Sequence, residues 1–371
     1  MGVAGRATEA GTARYAARCA GRAAPGHFRS GLGLTLSSIG AGTYLGELTD
    51  AVDDAYRSAL AEAVRLGCNV LDTAVSYRAQ RSEMAVGRAV ADLLAAGTVG
   101  RDELVIASKG GFITHRLVSP ANRVQYIYEQ FVASGVAEPD ELAGGIHCMA
   151  PGYLAQQIAW SLRNLDLHTL DIYFIHDPEI QLAFVDRATF RHRLQLAFAR
   201  LEEEVVSGRI AWYGVATWNG LRRAPMAADH LNLELMVRMA ESVVGAGHHF
   251  RALQVPLNAI MIEAFAFRNQ SLGKRLLPAI AAAQELGLTV MTSASLMQAQ
   301  LLGRLPDALS QAFPDLDSSA QRALQFVRSL PGVTTALVGM AQLDHVRQNL
   351  ALAGHPPAPA QAAHLMRSLA H

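Results

Sequence analysis

Four side chains capable of acid–base chemistry end or follow buried apolar runs of this 371-residue sequence. Asp72 ends the run NVLD, and Tyr77 comes five residues later. Lys109 ends the run LVIASK, and His176 ends LDIYFIH. A charged side chain at the end of an apolar strand requires a partner. Because adjacent strands lie side by side, we expect Asp72 and Lys109 to meet.

These residue types together suit the reduction of a carbonyl group. A tyrosine hydroxyl has a reference pKa near 10, so Tyr77 alone exchanges its proton with difficulty at neutral pH. A Lys109 ammonium nearby favours the phenolate, and Asp72 holds that ammonium in place and charged. His176 can orient a substrate carbonyl. The four residues thus predict a proton donor beside a polarised C=O group, which hydride transfer to a carbonyl requires.

Eight short apolar runs, separated by segments of helical periodicity, predict the fold that positions these residues. The runs occupy residues 36–44, 68–73, 104–109, 170–176, 211–217, 252–258, 288–295 and 334–340. Each is apolar at consecutive positions, as in strands that are buried on both faces. Helices are predicted at 50–66, 152–166, 189–208, 275–286 and 318–330. Successive βα units indicate an α/β fold, a (β/α)8 TIM barrel, whose active site lies at the C-terminal ends of the strands.

The barrel is predicted to span residues 31–355, with an insert at about 110–148 after the third strand. The insert should overhang the C-terminal face, either as a lid over the substrate or as a structural flap or oligomer contact. Residues 1–30 are rich in Ala, Gly and Arg. They are predicted to be a disordered extension, and a transit peptide is the alternative. Residues 356–371 are predicted to form a C-terminal tail or helix.

Composition disfavours several other classes of protein. The 32 basic and 32 acidic residues balance, which gives no support to a nucleic-acid or anionic-membrane partner. Three scattered cysteines do not form a disulfide framework, and the His147-Cys148 pair has no CxxC or HxxxH partner nearby. We therefore interpret that pair as ordinary loop residues and expect no metal. No run of 18 apolar residues occurs, and a cytoplasmic protein is expected.

The sequence resembles the aldo/keto reductase family over about residues 31–352. The motifs that carry the resemblance are LGLTLSSIGAGTYLG, NVLDTAVSY with SEMAVGRAV after it, ELVIASK and LDIYFIHDP. Residue by residue, the family's catalytic tetrad corresponds to Asp72, Tyr77, Lys109 and His176. The resemblance implies an NAD(P)H-dependent oxidoreductase that reduces an aldehyde or ketone to an alcohol, with Tyr77 as general acid.

The resemblance also implies a nicotinamide cofactor across the barrel mouth, NADP(H) as in most of the family, or NAD(H). Residues 214–219, Gln254 and residues 293–303 match the positions that hold the carboxamide, the nicotinamide ring and the pyrophosphate. Residues 339–349 match the adenosine phosphate segment. The implied cofactor residues are Gly42, Thr43, Tyr44, Asp72, Thr217, Gln254, Ser293, Leu296, Gln298, Gly339, Met340, His345, Arg347 and Asn349. The implied substrate residues are Tyr44, Tyr77, His176 and Trp218.

Four departures from the family pattern lie in the cofactor segments, and one of them is Ser295-Leu296-Met297 in place of the usual proline-glycine turn. Ala216-Thr217 replaces the usual Ser-Asn, and Ser293 replaces the aromatic ring that stacks on nicotinamide. His345 replaces the arginine that pairs with the 2′-phosphate, although Arg347 is close. The changes predict a weaker preference for NADPH. They also leave two alternative functions open. One is a biosynthetic enzyme that uses the tetrad for a non-redox step such as dehydration, enolisation or cyclisation; the other is a cofactor-binding regulatory subunit.

Overall fold

Eight parallel strands close into a barrel in the computed structural model, which describes residues 2–117, 119–300 and 305–369. The barrel strands, in chain order, are β3 (Ile39–Gly42), β4 (Val70–Asp72), β5 (Val105–Gly110), β6 (Leu170–His176), β7 (Ile210–Ala216), β8 (Phe250–Pro256), β11 (Thr289–Ser293) and β12 (Thr335–Gly339). β12 pairs with β3 and closes the ring. The predicted TIM barrel and all eight of its strands are confirmed.

Within the described ranges, two antiparallel hairpins lie outside the barrel. The first joins β1 (Phe28–Gly31) to β2 (Leu34–Ser37), and the second joins β9 (Gln270–Leu272) to β10 (Arg275–Leu277). The first strand was predicted over 36–44, but its opening residues pair with β1 instead. The helix predicted at 275–286 begins later, because residues 275–277 form β10 and Pro278 precedes the first helical residue, Ala279.

Helices precede, connect and follow the barrel strands. They are α1 (Glu9–Cys19), α2 (Asp50–Arg65), α3 (Arg81–Ala95), α4 (Arg123–Ile127), α5 (Pro151–Leu165), α6 (Arg187–Val206), α7 (Leu233–Val244), α8 (Glu263–Ala266), α9 (Ala279–Glu285), α10 (Asp307–Ala312), α11 (Ser319–Ser329), α12 (Leu343–Leu350) and α13 (Pro359–Leu369). Several begin with a side-chain cap, such as Thr49 before α2 and Ser318 before α11. Such a cap accepts a hydrogen bond from an otherwise unpaired helical N–H group.

The N-terminal segment is ordered, so the predicted disorder of residues 1–30 is wrong for residues 2–30. Helix α1 is capped by Thr8, and its Tyr15 is almost fully buried. The Tyr15 hydroxyl donates to the Val64 carbonyl at 2.5 Å, and the Ala7 N–H donates to Asp171 at 2.6 Å. Arg18 pairs with Glu103 at 2.5 Å. Arg18, one of the arginines on which the prediction of disorder rested, therefore helps to anchor this segment to the barrel.

The insert of about 110–148 carries its own small apolar core. Helix α4 continues into a π-helical turn, Tyr128–Val132, and Phe131 packs edge-on against Tyr153 with ring centroids 5.0 Å apart. The predicted C-terminal tail or helix is a helix, α13. Residues 370 and 371 lie outside the described residues. Among the helices that the structure describes, none is long and apolar enough to span a membrane.

Candidate active site

The carboxyl ends of β4 and β5 bring Asp72 and Lys109 together, as the sequence predicts. Lys109 Nζ donates to Asp72 Oδ2 at 2.6 Å and to the Thr73 carbonyl at 2.8 Å. The same ammonium lies 4.7 Å from the centroid of the Tyr77 ring. Lys109 is fully buried, and Asp72 is nearly so. An ion pair within 4–6 Å of a phenol is close enough to influence its protonation.

Tyr77 stands at the start of a strained turn. The three residues after it, Arg78, Ala79 and Gln80, have φ values of 49°, 53° and 73°. Left-handed backbone costs a non-glycine residue about 1–2 kcal/mol. The buried Arg78 guanidinium holds the turn, because it donates to Asp53 Oδ1 at 2.8 Å and to the Glu47 carbonyl at 2.6 Å. The loop that carries Tyr77 is thereby tied to the loop after β3.

The protonation of Tyr77 is set mainly by burial. Burial raises the pKa of Tyr77 well above its usual range, and the nearby Asp72 and Asp177 carboxylates raise that pKa further. Burial lowers the pKa of Lys109, whereas Asp72 opposes that change. The sequence argument expected Lys109 to lower the pKa of Tyr77, whereas in the folded protein burial and the neighbouring carboxylates raise that pKa. Tyr77 therefore keeps its proton at neutral pH and has one to donate.

His176 ends β6 and faces the same end of the barrel. Its ring centroid lies 5.7 Å from the Tyr77 ring and 4.9 Å from the Phe112 ring, edge-on in both cases. Burial, with Lys109 and His147 adding to it, lowers the pKa of His176 well below its usual range. The imidazole is therefore neutral at pH 7 and has one N–H to donate. The four predicted residues converge at one mouth of the barrel.

Two acidic residues of this mouth were missed in the sequence. Glu179 Oε1 accepts hydrogen bonds from the backbone N–H groups of residues 218–220, at 2.8, 2.8 and 3.0 Å. These bonds fix the loop that carries Trp218, an expected substrate residue whose side chain is exposed. Burial, with Glu179 adding to it, raises the pKa of Asp177 to about 8. The sequence signal for both residues was the segment DPE, which directly follows His176 at the end of β6.

Residues expected near the nicotinamide surround the ion pair. Gln254 Nε2 donates to Asp72 Oδ1 at 2.8 Å, and Thr43 Oγ1 donates to the Asp72 carbonyl at 3.2 Å. The Tyr44 ring lies edge-on to Tyr77, with centroids 4.9 Å apart, and is more than half exposed. Gly42 ends β3 and pairs with Asp72. Gln254 therefore orients Asp72, a contact that the sequence did not predict.

Three of the expected cofactor segments each hold a buried side-chain oxygen without a hydrogen-bond partner within the described residues. These atoms are Thr217 Oγ1, Ser295 Oγ and Asn349 Oδ1. Thr217 follows β7, Ser295 follows β11 and Asn349 lies in α12. The other residues expected at this rim lie at or after strand ends: Ser293 in β11, Leu296 and Gln298 after it, Gly339 at the end of β12 and Met340 next to it. Residues 301–303 of the expected pyrophosphate segment lie outside the described residues.

The two basic residues expected to bind the adenosine phosphate, His345 and Arg347, lie on different sides of α12. His345 is exposed in the first turn of α12. Arg347 lies two residues further along, about 200° around the helix, and its Nε donates to Glu62 Oε1 of α2 at 3.1 Å. Arg347 Nη1 also lies 3.9 Å from Asp344. The Arg347 side chain therefore takes part in ion pairs, whereas the His345 side chain faces solvent.

Comparison with known proteins agrees with this architecture. The model of the aldo/keto reductase family matches residues 38–241. The NADH-specific methylglyoxal reductase of Escherichia coli (strain K12) is 28% identical over 153 residues, which are 38% of this chain and 39% of that protein. The alignment thus spans well under half the length of that relative. The chain belongs to the aldo/keto reductase family.

Solved structures share the fold over nearly the whole chain. An aldo/keto reductase from Klebsiella pneumoniae, crystallised with NADP and acetate, matches with a TM-score of 0.62 at 22% identity, covering 93% of this chain and 96% of that one. The glycerol dehydrogenase from Gluconobacter oxydans matches with a TM-score of 0.61 at 19% identity, covering 94% and 96% of the two chains. At these identities the likeness establishes the fold alone.

Proposed function

We propose that the protein reduces an aldehyde or ketone to an alcohol with NAD(P)H, and that Tyr77 is the general acid. One observation carries the proposal. The buried Lys109–Asp72 ion pair lies against the Tyr77 ring, and the His176 ring lies beside the Tyr77 ring. A protonated phenol next to a neutral imidazole N–H supplies two hydrogen-bond donors to a single carbonyl oxygen.

Each side chain has a separate part in the proposed reaction. His176 donates a hydrogen bond that orients the carbonyl, and Tyr77 gives its proton to the developing alkoxide oxygen. The phenolate that remains is then stabilised by the Lys109 ammonium. Asp72 keeps this ammonium charged, because its Oδ2 lies 2.6 Å from Lys109 Nζ. Gln254 donates a hydrogen bond that holds Asp72 in place. The nicotinamide, when bound, supplies the hydride to the carbonyl carbon.

The chain offers suitable groups for the cofactor. Thr217, Ser295 and Asn349 each present a buried oxygen without a partner within the described residues, and such atoms are costly unless a ligand or water satisfies them. Thr217 lies where the carboxamide is expected, and Asn349 where the adenosine is expected. The relative from Escherichia coli is named NADH-specific, and the Klebsiella structure holds NADP. We propose that this chain accepts both cofactors.

The insert is proposed to cover the substrate. Phe112, at its start, contacts the His176 ring, and residues 146–148 return to the same strand end. The Ile113 N–H donates to the Ile146 carbonyl at 2.8 Å, and the Cys148 N–H donates to the Gly111 carbonyl at 2.8 Å. Both ends of the insert are thus clamped beside His176. A substrate at Tyr77 lies next to this segment.

The proposal is tested by product analysis with the purified protein. A panel of aldehydes and ketones is incubated with and without NADPH, and the oxidation of NADPH is followed with the alcohol formed. We expect equal amounts of alcohol and oxidised cofactor, and no product without cofactor. Product that forms without oxidation of the cofactor would show a non-redox enzyme. Cofactor binding without turnover of any compound in the panel would favour a binding subunit.

A further inference from the structure

The insert reaches the catalytic strand end through one buried side chain, His147. Its Nε2 lies 2.7 Å from the backbone carbonyl oxygen of His176. The His147 ring is fully buried and lies edge-on to Phe112, with centroids 5.7 Å apart. Gly111 leaves the space for it, since a Cβ at Gly111 would lie 2.6 Å from His147 Nε2. The fold thus provides both the buried His147 ring and the space beside Gly111 that the contact between His147 and the His176 carbonyl requires.

A chain of polar groups fixes the tautomer of this histidine. Arg193 Nη1 donates to Gln181 Oε1 at 2.8 Å, and a guanidinium has donors only. The Gln181 amide must therefore point its Nε2 away from Arg193, towards His147 Nδ1 at 3.0 Å. His147 Nδ1 is then an acceptor, so Nε2 carries the proton. The bond from His147 Nε2 to the His176 carbonyl is thus a donated N–H···O bond.

The charge state of His147 agrees with this assignment. Burial lowers the pKa of His147 to about 4, and the bond to the His176 carbonyl opposes that change. A neutral imidazole has one donor and one acceptor nitrogen, which the His176 carbonyl and the Gln181 amide use in full. The arrangement therefore persists across neutral pH and needs no nearby carboxylate.

The His176 backbone is also held by pairing with Ala216 of β7, whereas its ring has few polar contacts. Its Nδ1 has no hydrogen-bond partner within the described part of the chain. Its ring rests against Phe112 and Tyr77, and Phe112 is itself held by the Tyr153 hydroxyl, which donates to the Phe112 carbonyl at 2.8 Å. Two neighbouring supports of the His176 residue, the Phe112 ring and the His147 N–H, therefore come from the insert.

We propose that His147 is a positioning residue for His176, through which the insert sets the geometry of carbonyl binding. The inference rests on the proposed function, because it assigns His176 to the substrate carbonyl. A catalytic group that is displaced by about 1 Å loses on the order of a hundredfold in rate. The insert thus contributes to the chemistry as well as to covering the substrate.

Three variants of His147 separate positioning from general stability. His147→Leu removes both hydrogen bonds and keeps an apolar side chain. His147→Gln can place an N–H near the position of imidazole Nε2, whereas His147→Asn reaches only the position of Nδ1. The matched control is His230→Leu, because buried His230 makes a similar ring-to-carbonyl bond, to Asn269 at 3.0 Å, outside the site. kcat, KM, NADPH affinity and melting temperature are measured for each variant.

We expect kcat of His147→Leu to fall roughly 10- to 100-fold, with NADPH affinity unchanged. His147→Gln should recover most of the lost rate, and His147→Asn should not. His230→Leu should lower the melting temperature but leave kcat within about twofold of wild type. If His147→Leu does not fold, the comparison of the glutamine and asparagine variants decides alone. Equal kcat in these two variants, or a loss in His230→Leu as large as in His147→Leu, overturns the proposal.

A second readout does not require turnover. The imidazole nitrogens of His176 are followed by ¹⁵N NMR and assigned through loss of the signal in His176→Gln. We expect the His176 signal to shift in His147→Leu and in His147→Asn, but not in His230→Leu. An unchanged signal in all three contradicts the positioning role. If no carbonyl compound is reduced by the wild type, the proposed function fails, and this measurement still tests the contact between His147 and His176.

Discussion

Lys109 and Asp72 form a buried ion pair in which Nζ and Oδ2 are 2.6 Å apart. Removal of one partner from such a pair leaves an uncompensated buried charge and costs about 3–5 kcal/mol. We therefore expect Lys109→Met to lower the free energy of unfolding by about that amount, as measured by urea denaturation. The matched control is Asp92→Asn, because the Arg57–Asp92 pair is well exposed at both ends. An exposed pair contributes about 0–1 kcal/mol. Equal losses in the two variants would show that the Lys109–Asp72 pair is effectively solvated.

The raised pKa of Asp177 predicts a specific dependence of stability on pH. Burial and Glu179 raise the pKa of this carboxyl from 3.8 to about 8. The folded state thus holds a proton that the unfolded state releases, and the associated stability is complete below pH 3.8 and is lost as the pH rises through about 8. Asp177→Asn cannot lose a proton. Its melting temperature should therefore rise relative to wild type between pH 5 and pH 9, by about 2–4 °C for each kcal/mol gained.

The control for this experiment is Asp186→Asn. Asp186 caps α6 and is exposed, and its bonds to Thr189 lower its pKa below the usual range. It is therefore ionised throughout pH 5–9, and asparagine is an equally good helix cap. The difference in melting temperature between Asp186→Asn and wild type should stay constant across that range. A constant difference for Asp177→Asn as well would refute the raised pKa.

Much of this arrangement could be predicted from the sequence, because local pattern and chemistry coincide at the strand ends. Asp72, Lys109 and His176 each end an apolar run, and consecutive strands of a closed parallel barrel bring such ends together. His147 could not be assigned in this way. Its partners, His176 and Gln181, are 29 and 34 residues away in the chain, and only the folded insert places them in contact.

The N-terminal segment shows the same limit of sequence reasoning. Its composition, rich in Ala, Gly and Arg, is typical of a disordered extension. Its order comes from distant partners: Val64 is 49 residues from Tyr15, and Glu103 is 85 residues from Arg18. Arg347 is a third example. The sequence made it a candidate for binding the phosphate, but its side chain is paired with Glu62, which lies 285 residues away in the chain. Tertiary contacts of this kind leave no local signal.

The packing of α1 predicts that the N-terminal segment supports the barrel. Tyr15→Ala removes a buried ring and the hydrogen bond from its hydroxyl to Val64. Large aromatic-to-alanine changes in a core cost about 3–5 kcal/mol, whereas loss of the hydrogen bond alone costs about 1 kcal/mol. We expect Tyr15→Ala to be destabilised by several times as much as Tyr15→Phe in urea denaturation. Wild-type stability of Tyr15→Ala would show that α1 is detached in solution.

The placement of His345 and Arg347 predicts weak discrimination between NADPH and NADH. A charge-assisted contact to the 2′-phosphate contributes about 1.5–3 kcal/mol. Arg347 is paired with Glu62, and an imidazole at 345 lacks the planar fork of donors with which a guanidinium binds a phosphate. Fluorescence titration should therefore give a ratio of dissociation constants below about 100. His345→Arg should raise the preference for NADPH at least tenfold. A wild-type preference of a thousandfold for NADPH would show that another group binds the phosphate.

The most direct test of the proposed function is the turnover of Tyr77→Phe with the best carbonyl substrate found. The substitution keeps the ring that lies against Tyr44 and His176 and removes only the hydroxyl. We predict that NADPH binding, measured by fluorescence, is unchanged and that kcat falls by roughly 10²–10⁴, the usual contribution of a general acid. A double variant with Lys109→Met should be little slower than Tyr77→Phe, because the two residues act as one unit. A kcat for Tyr77→Phe equal to that of the wild type would contradict the assignment of Tyr77 as the proton donor.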